Sequence, residues 1–369
     1  MTNPYVFSAP TEIVGGLGAL AQLESLVERF APARIAVVSD QGVANAGLLN
    51  VVLQSLGRWE TEVCGLIRPD PTTDEVEAVA ARAIEHGSDL VVAIGGGSGL
   101  AAGKAVALRL RNEKPIVEYA GRDQAKGGAA PSIAIPTTAG SGSEVSNALV
   151  LHDPRRPAVL VVRGWGYEPN IALLDGMLLR SLPRDPMIYA ALDALSHAIE
   201  ALWAKKASPF TDALAYAAAD QIYDVLPRAL ESRQPEDLQT LLEASAMANL
   251  ACGSSELGLV HALSLSSAVH LPHGYQNAVL MPHVAAFNRS VMSERAQAEV
   301  DRIMPLYERI GFEAHFRPDE LERDQAESMV QVALAVPLSA NNLRQATADQ
   351  LRDILAAGGA SLSVSSVDA

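Results

Sequence analysis

The chain has 369 residues, 49% of them hydrophobic, and a formal net charge of −15. This length predicts two domains, and the acidic balance argues against nucleic acid and anionic membranes as partners, because both need basic surface. An anionic small substrate is not excluded, since a pocket can be locally basic. No apolar run reaches the roughly 18 residues that span a bilayer, and the first residues lack the features of a signal peptide. We therefore expect a cytoplasmic protein.

The first half of the chain alternates between strand-like and helix-like segments. A short strand, a glycine-rich turn and a helix are predicted within residues 1–30, and another helix over residues 75–86. Buried-strand patterns lie at residues 34–39, 62–67, 89–94, 131–136, 148–151 and 158–162. This alternation, which continues to about residue 180, predicts an α/β domain with a doubly wound, mostly parallel, Rossmann-like sheet.

Asp40 follows the strand predicted at residues 34–39. In parallel sheets, ligands bind at the carboxyl ends of the strands. A carboxylate there can accept hydrogen bonds from a ribose 2′-hydroxyl and repel a 2′-phosphate, which favours NAD(H) over NADP(H). An ordinary helix N-cap explains this aspartate nearly as well, and both interpretations stay open.

Two loops that follow buried strands are candidate phosphate-binding or ribose-binding segments. Gly95-Gly-Gly-Ser98 opens a predicted helix of small residues that runs through Lys104. Glycines let backbone N–H groups approach an anion, and the positive end of the helix dipole favours it. The second loop, residues 137–144, is rich in hydroxyls and glycine. A tight turn and a polar surface loop remain the alternatives.

The chain changes character after Pro183. Residues 187–300 are rich in alanine and leucine, with few strand signals. Predicted helix breaks fall at residues 207–209, 233–235, 253 and 271–274, and the tail from residue 358 is expected to fray. These patterns predict an α/β domain over residues 1–183 and an all-α domain over residues 184–369.

Asp193 and His197 are four residues apart in an apolar run, so they share one face of a predicted helix. Four histidines follow further along the chain, namely His261, His270, His273 and His283. Two ligands from the helix and two from this distant segment would form a mixed nitrogen and oxygen site for Fe(II) or Zn(II). Taken alone, the Asp-x-x-x-His pair is explained more simply by structural histidines.

Taken together, these motifs resemble the iron-containing (group III) alcohol dehydrogenase family over nearly the whole chain. The matching segments are Gly-Gly-Gly-Ser at 95–98 with Lys104, Ile-Pro-Thr-Thr-Ala-Gly-Ser-Gly-Ser-Glu-Val at 135–145, Asp-Ala-Leu-Ser-His-Ala-Ile-Glu at 193–200, Lys-Ala-Ser-Pro at 206–209, and Pro-His-Gly at 272–274 with Asn277 and Met-Pro-His at 281–283. Each segment alone is a weak signal, and the combination is specific.

The resemblance implies a dinucleotide-binding domain, a helical domain, and one divalent metal ion, Fe(II) or Zn(II), in the cleft between them. It implies reversible hydride transfer between NAD(H) and a small alcohol, aldehyde or ketone in a homodimer, with the metal as Lewis acid. The implied metal ligands are Asp193, His197, His261 and His273. The implied cofactor contacts are Asp40, Gly95, Gly96, Gly97, Ser98, Lys104, Thr137, Thr138 and Ser141.

The chain departs from the family pattern at several positions. Ala101 and Gly103 replace an aspartate and an alanine of the glycine motif, and Leu265 replaces a histidine that would relay a proton. His270 is the candidate catalytic residue to take over that relay. The interval from His261 to His273 is also shorter than in the family pattern.

Three other functions remain open at this point. A maleylacetate reductase-like enzyme shares the superfamily and also lacks the aspartate at position 101. A lyase similar to dehydroquinate synthase shares the fold and uses NAD transiently. The third alternative is a non-catalytic binding homologue, which Ala101 and Leu265 keep open.

Overall fold

The structure is a computed structural model that describes residues 4–360, so almost all of the tail predicted to fray lies outside the described residues. In the described chain, strands and helices alternate through the first half, and the second half is helical, which confirms the predicted fold class. A long helix begins at Arg184, next to the predicted domain boundary at residue 183, which stays a prediction.

The strands are short, and most of them coincide with the predicted apolar runs. Their bounds are β1 (Glu12–Gly15), β2 (Arg34–Asp40), β3 (Glu60–Ile67), β4 (Leu90–Gly95), β5 (Gly121–Arg122), β6 (Ser132–Pro136), β7 (Ala148–Leu151), β8 (Leu160–Arg163) and β9 (Ile171–Leu174). Within the described residues, six of them form a parallel sheet in the order β1-β9-β6-β4-β2-β3.

Helices cover both faces of this sheet. Their bounds are α1 (Leu23–Glu28), α2 (Gln41–Asn45), α3 (Leu48–Ser55), α4 (Thr73–His86) and α5 (Gly97–Arg109). Successive side chains of a strand point to opposite faces, so Ile35 and Val37 pack with α1 and α3, while Ala36 and Val38 pack with α4 and α5. The sheet is therefore doubly wound, as predicted.

The strand order reverses beside β2. The chain passes from β2 to β3 on one side and then crosses to β4 on the other side of β2. Such a switch point leaves a crevice at the carboxyl ends of the two neighbouring strands, where open α/β sheets bind ligands. Asp40 ends β2 and Gly95 ends β4, so both lie at this crevice.

One part of the sheet prediction is wrong. The runs at 148–151 and 158–162 do not extend the parallel sheet; β7 and β8 pair antiparallel and form a separate small sheet with β5. Their burial alternates along the strand, whereas β4 is buried throughout, and alternation is typical of a sheet with one covered face. Instead, β9 lies in the main sheet between β1 and β6, and the sequence pattern did not predict this strand.

The second half of the described chain is helical. The helices are α6 (Arg184–Leu202), α7 (Pro209–Ser232), α8 (Pro235–Ser255), α9 (Leu259–Leu263), α10 (His273–Asn288), α11 (Glu294–Val300), α12 (Ile303–Ile310), α13 (Arg323–Ala335), α14 (Pro337–Asn341) and α15 (Ala348–Ala357). The break predicted at Gly253 falls two residues before the end of α8 at Ser255. Packing of α8 along α6 and α7 outweighs the roughly 1 kcal/mol that a glycine costs inside a helix.

Among the residues that the structure describes, no helix is both long enough and apolar enough to cross a membrane.

Candidate active site

The two residues of the Asp-x-x-x-His pair lie on one face of α6, and both side chains are buried. His261, on the short helix α9, is also buried and faces them. One ligand atom from each of these three residues lies within 4.8 Å of the other two, and the imidazoles of His197 and His261 stack with their centroids 4.6 Å apart. The fold thus brings a carboxylate and two imidazoles to one point.

Glu200 fixes the orientation of His261. Its buried carboxylate accepts hydrogen bonds from Nδ1 of His261 at 2.7 Å and from the backbone N–H groups of Val260 and Gly258 at 2.8 and 3.2 Å. When His261 is neutral, donation from Nδ1 to Glu200 leaves the lone pair of Nε2 directed at the cluster. A carboxylate behind a histidine ligand orients the ring and raises its basicity in metal sites. Glu200 was quoted in the motif without a role, although it lies one helical turn after His197.

His273 begins α10, and the glycine after it lets α10 approach α6. A Cβ at Gly274 would lie 2.4 Å from the carbonyl oxygen of Tyr189 and 3.2 Å from the Cβ of Asp193. A larger residue would therefore push the two helices apart, and His273 would move away from Asp193. The imidazole of His273 lies 5.5 Å from that of His261, centroid to centroid.

Asn277 lies one helical turn after His273, in the middle of the cluster. Its amide nitrogen is 2.7 Å from Oδ1 of Asp193 and 3.0 Å from Nε2 of both His261 and His273. The amide has two hydrogens for these three acceptors. The cluster therefore holds more hydrogen-bond acceptors than protein donors can satisfy. Asn277 is a second residue that was quoted in the motif without a role.

The electrostatics of the cluster favour a cation. Burial alone would raise the pKa of Asp193, but the nearby imidazoles, with His197 first, hold it well below its usual range. Burial lowers the pKa of His197 to about 4 and also lowers that of His273. Burial acts in the same direction on His261, but the carboxylates of Asp193 and Glu200 outweigh it and raise its pKa to about 9. A cation is thus favoured at His261, which holds a proton at neutral pH when no metal is bound. A metal ion would replace that proton, because metals bind ionised carboxylates and neutral imidazoles.

The residues present fit a divalent cation. Nδ1 of His197 is buried and has no hydrogen-bond partner within the described range, which is costly unless something binds it. One carboxylate and three imidazoles form a donor set suited to Fe(II) or Zn(II). The three-residue group described above contains His261, and His273 lies farther out, next to Asn277.

The short connection between His261 and His273 packs against the turn that joins β7 to β8. The backbone N–H groups of Val159 and Ser267 donate to the carbonyl oxygens of Leu265 and Pro157 at 3.1 and 3.0 Å. Leu265, at the position of the missing relay histidine, is buried in this contact. The side chain of Ser267 also donates to the carbonyl oxygen of Arg156 at 2.5 Å. The connection is thus held by the first half of the chain.

His270, the candidate for proton relay, lies outside the ligand cluster. Its side chain is exposed, and its ring centroid is 6.4 Å from that of His152. This position is compatible with exchange of protons with solvent. The structure does not place it against the predicted ligands, and its catalytic role stays a prediction.

Asp40 and the glycine loop meet at the crevice of the main sheet. Asp40 caps α2 by accepting the N–H of Val43 at 2.8 Å, and its other oxygen accepts the N–H of Gly96 at 3.3 Å. A Cβ at Gly95 would lie 2.6 Å from Oδ2 of Asp40. Asp40 is therefore a helix N-cap and also lies at the proposed cofactor site, so the two interpretations are compatible.

The hydroxyl loop packs directly on the glycine loop. A Cβ at Gly96 would lie 3.4 Å from Oγ1 of Thr138, and a Cβ at Gly97 would lie 2.9 Å from Oγ of Ser141. The N–H of Thr137 donates to the carbonyl oxygen of Gly95 at 3.0 Å. The two segments that were predicted to bind the cofactor thus form one surface at the N-terminus of α5.

Ser98 and Lys104 point to different surroundings. Oγ of Ser98 accepts the N–H of Asp70 at 3.2 Å, at the edge of the crevice. Lys104 is buried, and its amino group donates to the carbonyl oxygens of Ser146 and Ala148. Burial lowers the pKa of this amine to about 7. Lys104 therefore supports the chain that leaves the hydroxyl loop, and contact with a cofactor stays a prediction.

The comparisons with known proteins cover nearly the whole chain. Residues 10–176 match the family model described as iron-containing alcohol dehydrogenase, and residues 187–358 match the model of the C-terminal domain of the Fe-containing alcohol dehydrogenase family. The chain is 32% identical to a probable alcohol dehydrogenase, EutG, of Salmonella typhimurium, over 96% of this chain and 94% of that protein.

Two further relatives are described together with a nicotinamide cofactor. The NAD-dependent methanol dehydrogenase of Bacillus methanolicus is 33% identical, over 80% of this chain and 78% of that protein. The crystal structure of sulfoacetaldehyde reductase from Bifidobacterium kashiwanohense, in complex with NAD+, matches with a TM-score of 0.86 at 26% identity, over 98% of this chain and 100% of that chain.

Proposed function

The chain belongs to the iron-containing alcohol dehydrogenase family, and from this premise we propose that it interconverts a small alcohol and its aldehyde or ketone with NAD(H) and one divalent metal ion. Membership of the family makes it an alcohol oxidoreductase. The proposed metal ligands are Asp193, His197, His261 and His273, and the metal is Fe(II) or Zn(II). NADP(H) is the less favoured cofactor because Asp40 lies where a 2′-phosphate would meet its charge.

The observation that carries this proposal is the buried cluster on α6 and α9. Three ligand atoms converge there within 4.8 Å, and Glu200 orients the third ligand from behind at 2.7 Å. Isolated structural histidines need neither a convergent geometry nor a carboxylate support. Two relatives add support for NAD(H), since one is named as NAD-dependent and the structure of the other was solved with NAD+.

When bound, the metal would polarise the oxygen of the alcohol or carbonyl substrate, and the nicotinamide would accept or supply the hydride. The residues of this chain have supporting roles. Asp193 stays ionised, and Glu200 keeps the lone pair of His261 directed at the centre of the cluster. The glycine and hydroxyl loops supply backbone N–H groups and hydroxyls for the cofactor. His270, whose side chain is exposed, is the proposed residue for proton exchange with solvent.

Metal content and activity of matched variants test this proposal. Purified protein should oxidise small alcohols with NAD+ and lose this activity after chelation, with recovery on addition of Fe(II) or Zn(II). His197→Ala and His273→Ala should each lose most of the bound metal, because each removes a predicted ligand. His283→Ala is the control, since its ring pairs with the carbonyl oxygen of Ala314 at 3.0 Å.

Two outcomes would contradict the proposal. Unchanged metal content in His197→Ala would show that the cluster is not the metal site. Reduction of a keto acid that survives complete chelation would instead support a maleylacetate reductase-like enzyme. Retention of metal in His273→Ala alone would remove only the fourth ligand from the set.

A further inference from the structure

A cavity of about 460 Å³ lies beside the proposed active site. Its walls come from the N-terminal segment, the three-stranded sheet, the connection between α6 and α7 and the end of α8. They include Tyr5, Arg122, Ser146, Arg163, Lys206 and Glu256. This volume is in the range of small-molecule sites in proteins.

The cavity is basic in a chain whose net charge is −15. Arg122, Arg163, Lys205 and Lys206 line it, against the carboxylates of Glu168 and Glu256. Glu256 forms ion pairs with Arg122 and Lys206 at 2.8 Å each, and with Arg163 at 3.6 Å. The two carboxylates of the wall cannot neutralise its four cations, so the cavity keeps an excess of positive charge.

The pKa of Arg163 is lowered in these surroundings. Burial lowers its pKa, and the neighbouring guanidinium of Arg122 acts in the same direction. Its remaining donors are engaged by Oδ1 of Asn147 at 3.2 Å and by the carbonyl oxygen of Gly253 at 2.6 Å. Arg122 and Lys206 are the more exposed cations, with 49% and 57% of their side chains accessible. They can bind a further anion, because a guanidinium has five donors and an ammonium three.

The cavity adjoins the cofactor surface of the proposed active site. Ser146 and Asn147, which line it, directly continue the hydroxyl loop. Asn249, also in its wall, donates to the carbonyl oxygen of Ser141 at 2.8 Å.

The cavity also adjoins the metal cluster. Glu256 is two residues before Gly258, whose N–H donates to the carboxylate of Glu200. Cys252 is buried on α8 directly before Gly253 of the cavity wall, and the charges of Arg163, Asp193 and Glu200 all act on its thiol. The cavity wall and the metal cluster are therefore neighbours through the end of α8 and the α8–α9 connection.

We propose that this basic cavity binds the anionic end of the substrate, and that the preferred substrates are aldehydes or alcohols that carry a terminal anionic group such as a carboxylate. The inference rests on the proposed function, because it names the substrate class of the same active site. Arg122 and Lys206 supply the charge-assisted hydrogen bonds to the anion. Glu256 keeps the cations together, and their field attracts an anionic substrate to an otherwise acidic protein.

The test compares two aldehydes of equal chain length, butanal and 4-oxobutanoate, with NADH and the metal-loaded protein. We expect kcat/KM for 4-oxobutanoate to exceed that for butanal by about tenfold or more, and the ratio to fall as ionic strength rises. Arg122→Met and Lys206→Met should each reduce this ratio several-fold, whereas Arg122→Lys should retain most of it. Arg289→Met is the control, because Arg289 is equally exposed at 49%, pairs with Asp301 and does not line the cavity.

Binding measurements give a readout that does not depend on turnover. Succinate should bind the wild-type protein, as measured by calorimetry, and bind Arg122→Met at least several-fold more weakly. NADH affinity should be the same in both, because the residues of the glycine loop, 95–98, are not among those that line the cavity. Weaker NADH binding in Arg122→Met would assign the cavity to the cofactor and overturn the inference.

The outcomes separate the two proposals. Reduction of both aldehydes with equal kcat/KM, or an equal loss for both in the variants, overturns the substrate class and leaves the dehydrogenase function in place. Reduction of neither aldehyde overturns the proposed function. Absence of succinate binding at millimolar concentration overturns the anion site.

Discussion

At the scale of single residues, Glu200 is the residue outside the ligand set for which we predict the largest effect on metal affinity. It is buried and accepts hydrogen bonds from one imidazole and from backbone N–H groups of the α8–α9 connection. It therefore sets both the tautomer of His261 and the position of the short helix α9 that carries it. Removal of its charge should weaken the site while all four predicted ligands remain.

Glu200→Gln should reduce metal affinity about 10- to 100-fold, the range found for residues that support metal ligands from behind. The amide can still accept a hydrogen bond from His261, so folding should be retained. Competition with a chelator of known affinity measures the effect. Glu243→Gln is the control, since Glu243 is exposed and contacts Gln239. Equal affinity in the two variants would mean that Glu200 is only a structural carboxylate.

At the scale of elements, glycines allow the close contacts that assemble the site. Gly274 lets α10 approach α6. Gly103 lets α5 approach β4, because a Cβ there would lie 2.4 Å from the Cβ of Ala93. Gly142, at a φ of +56°, lets the hydroxyl loop pack on α8, where a Cβ would lie 2.1 Å from the Cβ of Asn249. The alanine that the family pattern has at position 103 would not fit here without a shift of α5.

Gly274→Ala should destabilise the protein by about 1–3 kcal/mol, the usual range for overpacking, and should also weaken metal binding by moving His273. Gly253→Ala is the matched control, since this helical glycine has open space where a Cβ would lie. It should be neutral or stabilising by up to about 1 kcal/mol. Denaturant unfolding and metal content measure both effects. Similar stability losses in the two variants would contradict the packing argument.

At the scale of the whole molecule, the predicted ligands come from three helices. Asp193 and His197 are on α6, His261 is on α9 and His273 begins α10. A cation bound by all of them would join segments that are far apart in the chain. Because such a site exists only in the folded state, metal binding should stabilise the fold.

Removal of the metal should therefore lower the midpoint of thermal unfolding. Free metal at 100 times its Kd adds about 2.7 kcal/mol, which corresponds to several degrees for a protein of this size. Calorimetric scans of chelated and reloaded protein measure the shift. Asp193→Asn should lose most of it, because the amide removes the charged ligand. An equal shift in Asp193→Asn would show that the metal stabilises another site.

Much of the fold follows from local patterns. The continuous apolar runs predict β2, β4 and β6 closely, because strands buried on both faces tolerate few polar residues. Tertiary packing decides which sheet β7 and β8 join and where α8 ends. A short apolar run does not tell which sheet it joins, and a helix packed against two others continues through a glycine.

The sequence by itself determined the kinds of residue at the site: the glycine and hydroxyl loops, the Asp-x-x-x-His pair and the later histidines. Helical spacing alone places Asp193 and His197 on one face. Only the tertiary structure decided that His261 joins them, that Glu200 orients it and that His270 lies outside the cluster. It also placed the basic cavity beside the site. These relations join residues distant in the chain, and no local pattern encodes the packing of α6, α9 and α10 that brings them together.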